Sequence, residues 1–327
     1  MRILITGGAG FVGTQLAHRI LEHEAPVGQV ERLTLLDIAE PRAELLADER
    51  VDALVGPIGD QVANLGPLDL VFHLAGVVSG AAEADLDLGM QTNVDDTRAL
   101  LDHLRAATEA GAAPATFVFT SSLAVFGEDP FLGQPAVIRD DTLPRPQSSY
   151  GAQKYIAELL VGDYGRRGLV HARTVRLQTV AVRPGAPNAA ASSFVSGIVR
   201  EPVAGVRAPL PVPADTPICL SSPVKTVDAL VRAASASAEA WGSPTAVILP
   251  GLSTTPALML EAMDRVSGQP LSDLVDEQID PAIVAIVASW PGAFEPERAL
   301  ALGITAPDSV DAVIREYLEL VGVPAVA

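Results

Sequence analysis

Thr6-Gly7-Gly8-Ala9-Gly10-Phe11-Val12-Gly13 follows the short apolar run Arg2-Ile3-Leu4-Ile5 and leads into residues 15–24, where Leu16, Ala17, Ile20 and Leu21 recur at helical spacing. The stretch satisfies two glycine patterns at once. Gly7, Gly10 and Gly13 make GxxGxxG, and Gly8, Gly10 and Gly13 make GxGxxG. Between a strand and a helix, such glycines permit a tight turn, let backbone approach a pyrophosphate, and let the helix start pack on the strand. The helix end then presents free N–H groups and a positive dipole end to the anion. Asp37 lies 24 residues beyond Gly13, in the next expected strand, residues 33–38. A carboxylate there accepts hydrogen bonds from both hydroxyls of an adenosine ribose and repels a 2′-phosphate. Ile38, Ala39, Glu40 and Pro41 follow without an arginine, so NAD is expected over NADP.

Outward from this stretch the first half alternates strand and helix signals. Residues 68–74 and 116–120 read as further buried strands, and residues 93–107 and 150–164 as helices with Leu100, Leu101, Leu104 and Ile156, Leu159, Leu160 on their apolar faces. Repeated β-α-β order with buried strands predicts an α/β protein with a doubly wound parallel sheet. Beyond Arg183, eight prolines between Pro184 and Pro223 interrupt the alternation, and this stretch is expected on loops that wall a binding site. Residues 226–240 then read as a helix, 245–249 as a strand, 256–267 as a helix, and 308–321 as an amphipathic helix. No internal repeat or low-complexity tract is present.

At 327 residues the chain exceeds most single cores, which favours two domains or one with a large appendage. Apolar residues at 49% and charged residues at 19% exclude disorder. The apolar run 282–290 is too short to span a bilayer. Only Ile3-Leu4-Ile5 precedes the first glycines, so no secretory h-region is expected. A single cysteine, Cys219, fits a reducing cytoplasm. The net charge of −18, without a lysine or arginine run, argues against nucleic acid. The five histidines do not cluster, and no metal is expected. Trp241 and Trp290 are expected to pack rather than to stack a ligand.

The second chemical signal is Tyr150-Gly151-Ala152-Gln153-Lys154, a phenol and an ammonium four residues apart on one helix face. A phenol titrates near pKa ≈ 10 and is a poor base at neutral pH, whereas a nearby lysine cation, helped by an oxidised nicotinamide, would stabilise the phenolate and bring it into range. Phe117-Val118-Phe119-Thr120-Ser121-Ser122 reads as a strand that ends in hydroxyls at the carboxyl edge of the sheet, where open α/β folds bind ligands. Ser122 there could hold a substrate oxygen while Tyr150 exchanges its proton.

In this combination the chain resembles the extended short-chain dehydrogenases/reductases of the NAD-dependent epimerase/dehydratase type. Besides the glycine stretch, His73-Leu74-Ala75-Gly76 is similar to the family's HLAA segment, Ser121-Ser122-Leu123-Ala124-Val125-Phe126-Gly127 to its SSxxVYG, and Tyr150 to Lys154 to its YxxxK. The resemblance implies a Rossmann-type domain over 1–177, to which part of 214–250 returns, and a smaller C-terminal substrate-binding α/β part over 178–213 and 251–327. It implies catalytic roles for Ser122, Tyr150 and Lys154, with Asn93 supporting the lysine through water. It places the cofactor against Gly7, Gly10, Phe11, Val12, Gly13, Asp37, Ile58, Leu74, Ala75, Gly76, Asn93, Ser121, Tyr150, Lys154, Thr179 and Val180. It also implies a homodimer formed through the helices that include the one carrying Tyr150. Three positions depart from the family pattern. Phe126 replaces a tyrosine, Gly56-Pro57-Ile58 stands where an aspartate often meets adenine, and Arg176-Leu177-Gln178-Thr179-Val180 lacks RxxNVYGP.

A narrower resemblance rests on Pro146 to Gly151, Val182-Arg183-Pro184-Gly185, Ala191 to Ser196, Ser221-Ser222-Pro223 and Ser289-Trp290-Pro291-Gly292. These are similar to bacterial dehydrogenases that oxidise the four-carbon sugar acid D-erythronate at C2 to the 2-keto acid with NAD. A carboxylate substrate needs donors, and Arg183, Ser192, Ser193, Ser79 and Gly80 are the candidates, the arginine supplying a planar fork. The alternatives are an enzyme acting on a nucleotide sugar, for which the cations Arg200, Arg207, Lys225 and Arg232 are thinly scattered, and a non-catalytic NAD sensor, which would not need the Tyr150 and Lys154 pair.

Overall fold

The computed structural model describes residues 1–23 and 27–326. Seven strands form the central sheet: β1 (Arg2–Thr6), β2 (Arg32–Asp37), β3 (Val51–Val55), β4 (Leu70–His73), β5 (Thr116–Ser122), β6 (His171–Leu177) and β7 (Val247–Ile248). Their order is β7-β6-β5-β4-β1-β2-β3, and every neighbouring pair is parallel. The reversal of strand order falls between β1 and β4. Crevices outside the carboxyl ends at such a point are where open α/β sheets take ligands.

Because side chains alternate along each strand, the two faces feed separate cores. Ile3, Ile5, Leu33, Leu35 and Phe72 pack with Leu16 and Ile20 of α1 (Phe11–Glu22). Leu4, Leu36, Val71, Phe117 and Phe119 face the other way, against Leu100, Leu101 and Leu104 of α2 (Asp96–Glu109) and Ala157 and Val161 of α3 (Ser149–Arg166). Helices on both faces explain why the strands read as nearly continuous apolar runs. A third core lies off the sheet. It joins Phe194, Ile198 and Val199 of α4 (Ser193–Val203), Met259, Met263 and Val266 of α6 (Pro256–Ser267), and Ile314, Tyr317 and Leu318 of α7 (Val310–Leu320). Between α4 and α6, α5 (Pro223–Ser235) returns to the first core through Val227, Leu230 and Val231.

Several expected elements shift. The first helix begins at Phe11, directly after the glycines, with Gly10 as its cap residue; Glu24, where it was expected to end, lies outside the described residues. The expected helix 93–107 is interrupted, since residues Gln91–Asp95 form a π-turn that carries Asn93, and regular helix runs from Asp96. A π-turn re-aims a side chain within a helical path, and such turns recur at functional sites. The helix expected over 226–240 starts at Pro223 and ends at Ser235, after which Ser237 caps a separate turn, Ala238–Trp241. Strands β3 and β6 were not expected at all.

Strand β6 escapes a hydrophobicity reading because it carries buried arginines. Arg176 donates to both oxygens of Glu158 on α3, at 2.9 and 2.7 Å, and its guanidinium lies 4.9 Å from the centre of the Phe126 ring. Both partners are buried. Removing one member of a buried pair leaves an uncompensated charge at a cost of about 3–5 kcal/mol. Arg176→Met is therefore expected to lower the unfolding free energy by that amount, read from the urea midpoint. Adding Glu158→Gln should restore most of the loss.

Candidate active site

The glycine stretch is held to the sheet by backbone and by the Asp37 carboxylate. Gly7 has φ +71° and donates its N–H to Leu36 O at 2.8 Å. A Cβ on Gly7 would lie 2.9 Å from Ala75 N, and a Cβ on Gly13 would lie 2.1 Å from Gly7 O. No side chain can occupy either place without moving backbone. The first turn of α1 carries no acidic residue, so its positive end is free to receive an anion. The Asp37 carboxylate forms the rim, accepting from Ala9 N at 3.0 Å and Ala39 N at 3.1 Å. A groove closed to side chains, open to an anion and edged by a carboxylate fits a dinucleotide with a free ribose 2′-hydroxyl. Ile58, in the segment that departs from the family pattern, buries its side chain in the core, so an adenine there would meet backbone.

The cradle leads into a cavity of about 230 Å³ that reaches the carboxyl ends of β4, β5 and β6. Val12, Leu74, Gly76, Ser121, Lys154, Thr179 and Val180 line its cofactor side, and Ser122, Tyr150, Ser79, Arg183 and Ser192 line the rest. Most residues expected at the site thus converge on one space. Ser193 does not line it: its Oγ accepts from Asn188 N at 3.2 Å. Ser79 does, but its Oγ already accepts from Ala191 N at 3.0 Å. Gly80 approaches the Ala189 carbonyl so closely that a Cβ would lie 2.5 Å from it.

Lys154 is buried, and its Nζ donates to Thr120 O at 3.0 Å while lying 4.9 Å from the Phe119 ring centre and 5.8 Å from that of Tyr150. Burial pulls this ammonium down to about 8, with the Glu158 carboxylate opposing. Burial likewise pushes the Tyr150 phenol up to about 12, and a hydrogen bond with Ser122 only partly offsets it. The protein alone therefore keeps the phenol neutral, in the absence of the oxidised nicotinamide that was expected to act with the lysine. Ser122 is fixed by accepting from Ala124 N at 3.1 Å. The Asn93 amide is fully engaged: its Oδ1 accepts from Val77 N at 3.0 Å, and its Nδ2 donates to Val77 O at 3.0 Å and Gln153 Oε1 at 2.8 Å. Asn93 meets Lys154 across Gly76, where a Cβ would lie 2.8 Å from Asn93 Oδ1 and 3.1 Å from Lys154 Nζ.

Four buried polar atoms of cavity-lining residues have no partner among the described residues: Ser121 Oγ, Gln178 Oε1, Arg183 Nε and Trp290 Nε1. Buried polar groups are nearly always paired, so their concentration at one cavity marks a place for a ligand or water. Gln178 and Trp290 were not expected here. Trp290 was expected only to pack, although it belongs to the quoted Ser289-Trp290-Pro291-Gly292 stretch. Trp241 does pack, buried beneath the Arg173 guanidinium at 5.2 Å. No cluster of three or more His, Cys, Asp or Glu side chains suited to a metal occurs among the described residues.

Fold and site together define a doubly wound dinucleotide-binding protein with a tyrosine–lysine centre. The model of the NAD dependent epimerase/dehydratase family matches residues 3–212. The chain belongs to that family. It is 49% identical to a D-erythronate dehydrogenase of Cupriavidus necator, over 98% of this chain and 99% of that protein, and 38% identical to a D-erythronate dehydrogenase of Haemophilus influenzae at the same coverages. Among solved structures it is similar to a nucleoside-diphosphate-sugar epimerase from Agrobacterium tumefaciens, with TM-score 0.90 and 38% identity over 99% of this chain and 95% of that one. An L-threonine 3-dehydrogenase from Trypanosoma brucei, at TM-score 0.83 and 23% identity over 99% of both chains, shares the fold.

Two outcomes test this geometry. Asp37→Ser removes the ribose acceptor and the charge facing a 2′-phosphate, so the affinity ratio of NAD to NADP should fall by roughly tenfold or more in titrations of the free enzyme, equivalent to at least ~1.4 kcal/mol. Lys154→Met addresses the buried ammonium. Below about pH 8 the lysine is protonated in both folded and unfolded chains, and the fold bears the full desolvation cost. Between about 8 and the usual 10.5 the unfolded chain keeps a proton that the fold has shed, so the wild type gains stability as pH rises. The Tm of Lys154→Met minus that of the wild type should therefore shrink from pH 8 to pH 10.5.

Proposed function

We propose that this protein oxidises D-erythronate at its C2 hydroxyl to 2-dehydro-D-erythronate with NAD as the acceptor. The observation that carries the reading is the meeting, in one small cavity beside the glycine cradle, of Tyr150, Ser122 and Lys154 with an arginine that lacks a counter-ion. Arg183 Nε is buried without a partner, and no carboxylate pairs with this guanidinium among the described residues. Behind it, Arg200 donates to Arg183 O at 3.1 Å and pairs with Glu201 at 2.6 Å, so that carboxylate is taken by Arg200 and none pairs with Arg183. A substrate carboxylate would balance Arg183. Ser192 lines the same side, and its side chain makes no cap bond to α4. The two D-erythronate dehydrogenases, matched end to end, support the same substrate.

In this reading Gly7, Gly10 and Gly13 with Phe11 and Val12 take the pyrophosphate, and Asp37 the adenosine ribose. Leu74, Ala75 and Gly76 flank the dinucleotide on one side, with Ser121, Thr179 and Val180 at its reactive end. Ile58 offers backbone to the adenine. Asn93 ties Val77 to Gln153 and so fixes the wall beside Lys154. Bound NAD supplies the hydride acceptor for the C2–H bond and, when oxidised, a positive charge. Tyr150 Oη takes the proton of the C2 hydroxyl, its phenolate stabilised by Lys154 Nζ, while Ser122 Oγ donates to the oxygen that becomes a carbonyl. Arg183 and Ser192 hold the carboxylate, with Ser79 positioning the Ala191 backbone and Ser193 the Asn188 backbone on the same loop.

Residues 1–177 with part of 214–250 would form the cofactor domain, and residues 178–213 and 251–327 the substrate part. The separate core of α4, α6 and α7 supports that division. Exposed Leu159 and Ile156 on α3 beside exposed Leu143 support a homodimer through that helix. The lone cysteine, buried and pushed up to about 12 by desolvation, supports a cytoplasmic setting, and no helix among the described residues is long and apolar enough to cross a membrane.

A second reading, turnover of a nucleotide sugar, has the Agrobacterium structure in its favour. Against it stands the cavity, about 230 Å³ and shared with the reactive end of the cofactor, below the ~300–1,000 Å³ of sites for drug-sized ligands. Leu123 and Ala124, after Ser122, are buried apolar residues where a dehydratase would want an acid and a base. NADH formation with purified protein, NAD and four-carbon sugar acids decides between them. D-erythronate should yield stoichiometric NADH, and Tyr150→Phe should lower the rate by about 10²–10⁴-fold while NAD still binds. Conversion of a UDP- or dTDP-sugar without net NADH would overturn the proposal.

A further inference from the structure

One aromatic side chain lines the cavity from a turn that belongs to neither the sheet nor the tyrosine helix. Trp290 lines the catalytic cavity and also a small void of about 10 Å³, and Leu123, Thr179 and Ser192 likewise border both spaces. The far side of the void is made of Pro217, Ile218, Cys219, Val287 and Pro291. The indole is therefore part of the wall that the catalytic cavity shares with a mostly apolar neighbouring void.

Its position is set by backbone. Trp290 N donates to Val287 O at 3.0 Å, and Ser289 Oγ to Ile286 O at 2.7 Å. Ser289 O accepts from Glu128 N at 3.2 Å, which ties the turn to the loop after β5. Gly292 packs so closely on Pro217 that a Cβ would lie 2.7 Å from its ring. A ring held by two neighbouring turns does not swing aside at small cost. Its Nε1 is buried without a partner, which leaves a donor for a hydroxyl of the bound molecule.

We propose that Trp290 sets the chain length of the substrate, its indole ending the cavity where a fifth carbon would go. The inference rests on the sugar-acid reading above and deepens it. With the carboxylate at Arg183 and C2 at Tyr150, an acid whose further carbons extend toward Trp290 would meet the ring if it were longer. Removing the ring opens the wall toward the neighbouring void and frees the volume of the indole. In a pocket of this kind each methylene is worth roughly 10–200-fold in discrimination.

The test compares kcat/KM for four-, five- and six-carbon sugar acids in wild type, Trp290→Ala, Trp290→Leu and Trp290→Phe, with nucleotide sugars as a parallel series. Wild type should prefer the four-carbon acid. Trp290→Ala should raise the five-to-four-carbon ratio by roughly tenfold or more, through KM of the longer acid, with NAD affinity unchanged. Trp290→Leu keeps an apolar side chain on Val287 and should shift the ratio the same way by less, which covers the case that the alanine variant does not fold. Trp290→Phe keeps most of the wall and should retain the preference. If wild type oxidises D-erythronate but the ratio stays put in Trp290→Ala or Trp290→Leu, the wall is elsewhere and the sugar-acid reading survives. If wild type converts only nucleotide sugars, both fall together, because such a molecule needs the space that the indole fills.

Discussion

The carbonyl oxygen of Gly7 lies only 2.1 Å from where Gly13 would carry a Cβ, and a Cβ on Gly7 would lie 2.9 Å from Ala75 N. Backbone from β1, from α1 and from the end of β4 is thereby pressed together at the point where the strand order reverses. Any side chain at these places would push the helix off the sheet or close the groove between β1 and β4. The approach places the positive end of α1 beside the crevice. It also sets the distance from the cradle to Leu74-Ala75-Gly76, which lead into the cavity. The position of the catalytic side chains relative to a dinucleotide thus depends on the absence of two methyl groups.

Beneath the crevice the protein accepts a further cost, a buried polar lattice. His73 is wholly buried and bridges Thr6 Oγ1 at 2.7 Å and Thr97 Oγ1 at 2.8 Å, and burial drives its pKa down to about 3, with the Lys154 charge adding to the effect. It is a neutral strut that links β1 and β4 to α2. Thr97 in turn donates to Asn93 O at 2.9 Å, and the Asn93 amide reaches Val77 and Gln153. Thr120 joins the same lattice by donating to His73 O and by lending its own carbonyl to Lys154. Half-satisfied networks destabilise a core, whereas satisfied ones hold their members in one arrangement. The lattice is satisfied at Thr120 and Lys154, where it meets the cavity, and leaves Gln153 Nε2 without a partner among the described residues.

The parts of this arrangement that were legible in the sequence are those decided by local pattern. The glycine stretch, Asp37, the hydroxyl-ended β5 and the Tyr150–Lys154 pair each carry their chemistry within a few residues. What escaped depends on partners far along the chain. Strand β6, His171–Leu177, reads as polar because Arg173 and Arg176 are buried against Trp241 and Glu158, contacts that no window of seven residues contains. The π-turn that carries Asn93 was not legible, since its side chain bonds to Val77 and to Gln153, sixty residues further on. Trp290 looked like packing because an aromatic beside a proline usually is; only the approach of the 289–292 turn to Pro217 brings it to the cavity. The burial that pushes the Tyr150 phenol up was not legible either, because spacing reports the lysine's proximity and is silent on how much water the fold removes.

The charge distribution joins these levels. A chain of net charge −18 presents a field that opposes an anionic substrate. Most of its arginines are neutralised in pairs at the surface, as with Asp69, Asp163 and Asp311. Screened pairs of that kind contribute little to a potential a Debye length away. Arg183 differs in being half-buried, unpaired and backed by Arg200, so its charge acts through a medium of lower dielectric than water. Burial and the Arg200 charge both push its pKa down, which means that the site is strained toward receiving a negative partner. An anion that reaches this cavity relieves a cost the folded protein already bears. Selectivity for a small carboxylate can therefore arise in a strongly acidic protein from a single uncompensated arginine, provided that the cavity excludes the water that would otherwise satisfy it.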